Sequence, residues 1–175
     1  MKSKRIIALL LCFALTFSTA FGCGNRPDTP APAEEVTKFT DTVMAKNGET
    51  DYKIVVPAAA SDCVLYAASE LNRYFTRSTG AQMEIVVDNG TALDENAKYV
   101  SLGDTTMAGG LTVTKAEVNL DGYKIARRGN TILIKAYEDR GVMYGVYEFL
   151  HRGFGYECYA VDEIALDVKP TAYLP

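Results

Sequence analysis

Chemistry in this chain would have to come from carboxylates and tyrosines, because the residue sets that more often supply it are incomplete. There is one histidine, His151, and it falls at the end of a helical pattern, where a cation complements the helix C-terminus. A Ser-His-Asp or Cys-His system would need it as base, and no Gly-x-Ser-x-Gly elbow occurs. Zinc would need closely spaced Cys and His ligands. The cysteines Cys12, Cys23, Cys63 and Cys158 are instead scattered. Neither a His-Glu-x-x-His helix nor a P-loop is found, and Gly109-Gly110 and Gly153-Phe154-Gly155 make no dinucleotide fingerprint. Glycoside hydrolysis would need two carboxylates facing each other across a sugar. Asp121, Asp139, Glu148, Asp162 and Glu163 can be nominated, but spacing selects no pair, and each reads more simply as solvated charge. Tyr144, Tyr147, Tyr156 and Tyr159 could stack on a sugar ring, or could equally rim the core. No catalytic, cofactor-binding or metal-binding residue can be assigned from these patterns.

The element that would position most of them is Arg140-Gly141-Val142-Met143-Tyr144-Gly145-Val146-Tyr147-Glu148-Phe149-Leu150. At 100° per residue Val142, Met143, Val146, Phe149 and Leu150 share one arc, with Tyr144 and Glu148 opposite. Gly145 flanks that arc, where a missing side chain lets a neighbour approach closely. His151, Arg152 and Gly153 should close the helix. A second one-faced helix begins at the capping residue Ser61, with Asp62 at its positive end, and stops at Gly80. Its apolar face holds Val64, Leu65, Ala67, Ala68, Leu71 and Phe75, and its polar face Glu70, Arg73 and Arg77.

Strands are expected at Tyr52-Lys53-Ile54-Val55-Val56 before Pro57, at residues 83–87 and 98–102, and at 122–127 and 131–135 around Gly129-Asn130. Residues 36–44 have mixed strand character. Residues 103–120 read as a long excursion, and an extended tail follows Gly155. Asn47-Gly48 and Gly129-Asn130 are hairpin signals, and Asn89-Gly90 falls in a polar loop between the strands at 83–87 and 98–102. Together these predict an α+β two-layer sandwich, a mainly antiparallel sheet covered on one side by two helices.

The chain has 175 residues, 48% of them hydrophobic, and a net charge of −4. This suits one globular domain plus a targeting segment, and gives no basic stripe for nucleic acid. Residues 1–22 read as a signal peptide: Lys2, Lys4 and Arg5, then an apolar run over 6–17, then small residues. Ala20-Phe21-Gly22-Cys23 resembles a bacterial lipoprotein box, with alanine where leucine is usual. Cys23 is therefore the expected lipidation site, anchoring the protein in the bilayer at the extracytoplasmic face of a bacterial cell membrane. Residues 23–35, with Pro27, Pro30 and Pro32, form a spacer, and 36–175 the domain. Export permits a disulfide between Cys63 and Cys158, although two separate buried thiols are the plainer reading.

Several stretches taken in order carry a family resemblance. They are Tyr52-Lys53-Ile54-Val55-Val56-Pro57, Ala67-Ala68-Ser69-Glu70-Leu71-Asn72-Arg73-Tyr74-Phe75 with Thr79-Gly80, Val100-Ser101-Leu102-Gly103-Asp104-Thr105, Asp121-Gly122-Tyr123-Lys124-Ile125 and the Arg140-Gly141 helix. Residues 36–175 resemble the N-terminal domain of bacterial α-glucuronidases and related surface glycosidases. They are similar also to the non-catalytic domain that precedes the barrel in β-N-acetylhexosaminidases. The resemblance implies a zincin-like α/β sandwich without the metal site, packed against a (β/α)₈ barrel that carries the catalytic carboxylates. Such a barrel would begin about at Tyr173-Leu174-Pro175, so no catalytic residue carries over. Ala136 replaces a glycine usual before the Arg-Gly helix start, and Tyr156-Glu157-Cys158-Tyr159 replaces a basic residue followed by an aromatic pair. The expected function is an accessory domain of a surface-anchored glycoside hydrolase-like lipoprotein that breaks down xylan or another glycan, with no cofactor. The alternative is a stand-alone lipoprotein module that binds polysaccharide. An independent hydrolase is disfavoured, because acid/base chemistry needs a positioned pair.

Overall fold

The structure, a computed structural model, describes residues 38–175 except 91 and 95. The signal peptide, Cys23 and the spacer lie outside the described residues. Residues 36–175 form a compact unit with its own core, the mark of a piece that folds by itself. Its elements are β1 (Val43–Lys46), β2 (Lys53–Val56), α1 (Asp62–Thr79), β3 (Glu84–Val87), β4 (Tyr99–Leu102), a 3₁₀ turn (Thr106–Ala108), α2 (Lys115–Val118), β5 (Tyr123–Arg128), β6 (Thr131–Ala136), α3 (Asp139–Phe154), β7 (Glu157–Ala160), β8 (Glu163–Ala165) and β9 (Thr171–Tyr173).

The α+β sandwich is as expected, but the strand directions are not. The central sheet has the order β3-β2-β4-β6-β5. β2 runs parallel to β3 and β4, and β4 parallel to β6; only β5 is antiparallel. The sheet is therefore mainly parallel, which corrects the antiparallel expectation. The cause lies in the helices: α1 carries the chain from β2 to its parallel neighbour β3, a crossover that a tight turn cannot make. Of the two hairpin signals only Gly129-Asn130 joins paired strands. Asn47-Gly48 does turn sharply, with φ of 54° and 81°, yet β1 pairs antiparallel with β9, Val43 opposite Tyr173.

Alternation divides the sheet between two small cores. Ile54, Val56, Val100, Leu102, Ile132 and Ile134 face the helices and meet Leu71, Phe75, Val146 and Leu150. Val55 and Leu133 face the other way and meet Met107, delivered by the excursion after β4. Complete burial of an aliphatic side chain of this size contributes about 1.5–3 kcal/mol, so both layers matter to stability.

The helices start and stop for local reasons. Ser61 Oγ accepts from the Val64 amide at 3.4 Å, and Gly80 ends α1 at φ 76°. α3 ends at Gly155, φ 64°, one turn-fraction later than expected. Gly153 remains inside the helix and buried. Gly145 is required by packing, since a Cβ there would lie 2.5 Å from Ile134 Cγ2 and 3.2 Å from Tyr123 Cγ.

Candidate functional site

The tyrosine candidates come from α3 and the strand after it, and the structure divides them. Tyr147 and Tyr156 stack, with centroids 5.4 Å apart and an interplanar angle of 13°. Tyr74 of α1 packs on Tyr156 at 4.6 Å. With 9% exposure and a neighbour on each side, Tyr156 has no ring face left for a sugar. Tyr144 is exposed on α3, and Tyr159 projects from β7 at 72% exposure. The four residues thus form one internal stack and two surface rings.

A carboxylate that periodicity assigned to solvent completes the stack. Glu70 sits on the flank of the apolar arc of α1 and is only 6% exposed. Tyr147 Oη donates to Glu70 Oε2 at 3.0 Å, and Arg73 Nη1 donates to Oε1 at 3.1 Å. The guanidinium groups of Arg73 and Arg77 lie 5.0 and 5.4 Å from the Tyr74 ring centroid, within cation–π range. Burial first, and then the bond to Glu70, pushes the Tyr147 hydroxyl well above its ordinary range. Burial and the Tyr74 hydroxyl do the same for Tyr156. The protonated Tyr147 phenol on its carboxylate binds α3 to α1, and phenols held protonated in this way are poor proton acceptors near neutrality.

The nominated carboxylates are accounted for locally. Asp121 Oδ1 accepts from Arg140 Nε at 2.7 Å and Nη2 at 2.5 Å. Beside this pair Gly141 has no room for a Cβ, which would sit 2.7 Å from Ala136 Cβ and 2.8 Å from the Gly122 carbonyl. Asp121-Gly122 and Arg140-Gly141 are therefore two halves of a clamp that joins the start of β5 to the start of α3. Glu148 binds Arg152 one turn on, at 2.5 Å. Asp139 lies in the first turn of α3, and Asp162 and Glu163 are exposed at the β7–β8 turn. His151 Nδ1 lies 3.2 Å from the Tyr156 carbonyl and 2.9 Å from Glu157 Oε1, holding the chain just beyond the helix.

Cys63 and Cys158 are free thiols. Cys158 is exposed and Cys63 only half-buried, a correction to the expectation of two buried thiols. Among the described residues, no group of three His, Cys, Asp or Glu side chains is placed to hold a metal ion, and no helix is long and apolar enough to cross a membrane.

Residues 37–149 match the family described as glycosyl hydrolase family 67 N-terminus. The chain belongs to this family. The matched span of the family 67 N-terminal domain includes Glu70, Tyr74 and Tyr147 and both halves of the Asp121–Arg140 clamp, and stops before Tyr156 and Tyr159. No curated protein matches the chain. Among solved structures, it is similar to a GH138 enzyme targeting pectin rhamnogalacturonan II, with 18% identity and a TM-score of 0.41 over 58% of this chain. It spans 12% of that enzyme's length.

Proposed function

We propose that this glycosidase-associated domain is the accessory, non-catalytic front part of a surface-anchored glycoside hydrolase. In this reading it braces a (β/α)₈ barrel that performs the hydrolysis of xylan or a related glycan. A lipid on Cys23 tethers the assembly to the outer side of the cytoplasmic membrane or beneath an outer one. The family match over residues 37–149 carries the reading. It is supported by the fate of the carboxylates: Glu70, Asp121 and Glu148 are each committed to an arginine, whereas a glycosidase needs two facing a cleft.

The deciding measurement is the size and location of the native product, detected with an antibody against this domain in membrane and soluble fractions. The expected band lies in the membrane fraction, far above the 19.1 kDa of this chain, and moves to the soluble fraction in a Cys23→Ser strain. Residues 36–175 alone should release no sugar from glucuronoxylan. A band at the size of this chain, together with heat on titrating xylo-oligosaccharides into residues 36–175, would replace the bracing role with that of a binding module.

A further inference from the structure

Apolar side chains left in water gather at one end of the domain. Of the twelve large ones exposed among the described residues, five are Phe39, Tyr159, Val161, Val168 and Tyr173. Short contacts tie the segments that carry them to the last turn of α3. Lys169 Nζ donates to the Gly153 carbonyl at 2.8 Å and lies 5.3 Å from the Phe39 ring centroid. The Asp167 amide donates to the Phe154 carbonyl at 2.9 Å. A Cβ at Gly153 would lie 3.7 Å from Pro175 Cγ. A polypeptide that continues from Pro175 therefore starts among these exposed side chains.

The β7–β8 hairpin leaves from the same place as a two-stranded sheet of its own. Such a ribbon is marginal by itself, and only one side of it is held: Ile164, and Leu166 just after β8, pack on the main core. Its tip is the reverse of what a turn in water selects. Turns favour Gly, Asn, Asp and Ser, yet Val161 is 91% exposed and Tyr159 almost as bare. The matched family span ends at residue 149, so the family match assigns these residues no part. Beside them Asp162 and Glu163 are exposed and bind no cation among the described residues.

We infer that this end of the domain, led by the β7–β8 tip, is the surface that seats the barrel. The inference rests on the reading that a barrel follows in the same polypeptide, and adds which face it covers. Charge decides among the occupants. A second copy meeting tip to tip would set Asp162 and Glu163 against their own counterparts, and an anionic lipid surface would repel the same pair. A barrel face with apolar residues around a lysine or arginine meets both features of the tip. Because the patch surrounds Pro175, the two bodies would touch where they are joined, and little loop entropy opposes their contact.

The native product with Val161→p-benzoylphenylalanine tests this. On irradiation, the peptide holding position 161 is expected to be joined to peptides beyond residue 175, and the same label at Tyr144, exposed on α3, is expected to give none. Tyr159→Ser with Val161→Asp should speed limited proteolysis between domain and barrel at least about tenfold, the opening of a contact worth about 1.4 kcal/mol. The urea midpoint of residues 36–175 should not move, because both side chains already face water there. Cross-links that are absent, equal from Tyr144, or confined to lipid or a second copy overturn the docking surface. So does proteolysis indifferent to the double substitution. Each of these leaves a large membrane-bound product, and with it the bracing role, in place; a native band at the size of this chain removes the barrel and overturns both.

Discussion

Single residues in this domain are specified most tightly where they lack something. Gly145 and Gly141 stand where α3 crosses the sheet, and each position is filled by a neighbour. Gly145→Leu is expected to cost about 3 kcal/mol through overpacking, read as a fall in the urea midpoint with unchanged slope. Gly141→Ala should be comparably damaging despite its single added carbon, because two of its three nearest neighbours are carbonyl oxygens of Asp121 and Gly122, which cannot rotate away. The need for a small residue at 145 was legible from its place on the helical wheel. Glu70 was not: on α1 it lies at the margin of the apolar arc, where periodicity cannot tell a solvated carboxylate from a buried one. Only a donor from another element settles the matter, and Tyr147 is 77 residues away. Tyr147→Phe should cost about 1–3 kcal/mol, the typical penalty when a buried acceptor loses its partner, and return little if Glu70→Leu is made alongside it.

Among the elements, both long helices could be read in advance because each makes its own hydrogen bonds and displays its own apolar face. Strand direction could not. An Asn-Gly pair reports that the backbone turns, not which strand it meets next, and the partner of β1 is β9, near the other end of the domain. The short α2 was hidden for a related reason: one turn is too brief to show a period. It is held instead by its ends. Glu117 accepts from the Thr114 amide at 3.0 Å and from Lys124 Nζ at 2.9 Å. These bonds, that from Lys124 foremost, draw its carboxyl down to about 2. A lowered native value means that its contribution is complete above the ordinary carboxylate range and is lost as pH falls from there toward about 2. Amide exchange at Val118 and Asn119 should accordingly quicken over that acid window while the core of the sheet stays protected.

For the whole molecule, the corresponding limit lies at high pH. Burial lifts Tyr52 to about 12, and its hydroxyl has no partner among the described residues; Tyr147 and Tyr156 are raised as well. Each binds its proton more tightly folded than unfolded. Their contribution is thus present below the ordinary phenol value of about 10 and lost as pH rises from 10 through the native values. Stability to urea should be level up to about pH 10 and fall steeply beyond it, with the share of phenolate absorbance that belongs to these three tyrosines appearing only as the fold opens.

The β1–β9 ribbon also determines how the domain bears load. Thr40 and Thr42 bond to Leu174, and Val43 faces Tyr173, so the first and last described segments lie side by side and antiparallel. Tension drawn between residues 38 and 175 would meet these bonds one after another, as a zipper is opened, rather than all together in shear. The ribbon would peel at low force while the parallel sheet behind it stayed whole, making it a mechanical fuse ahead of the core.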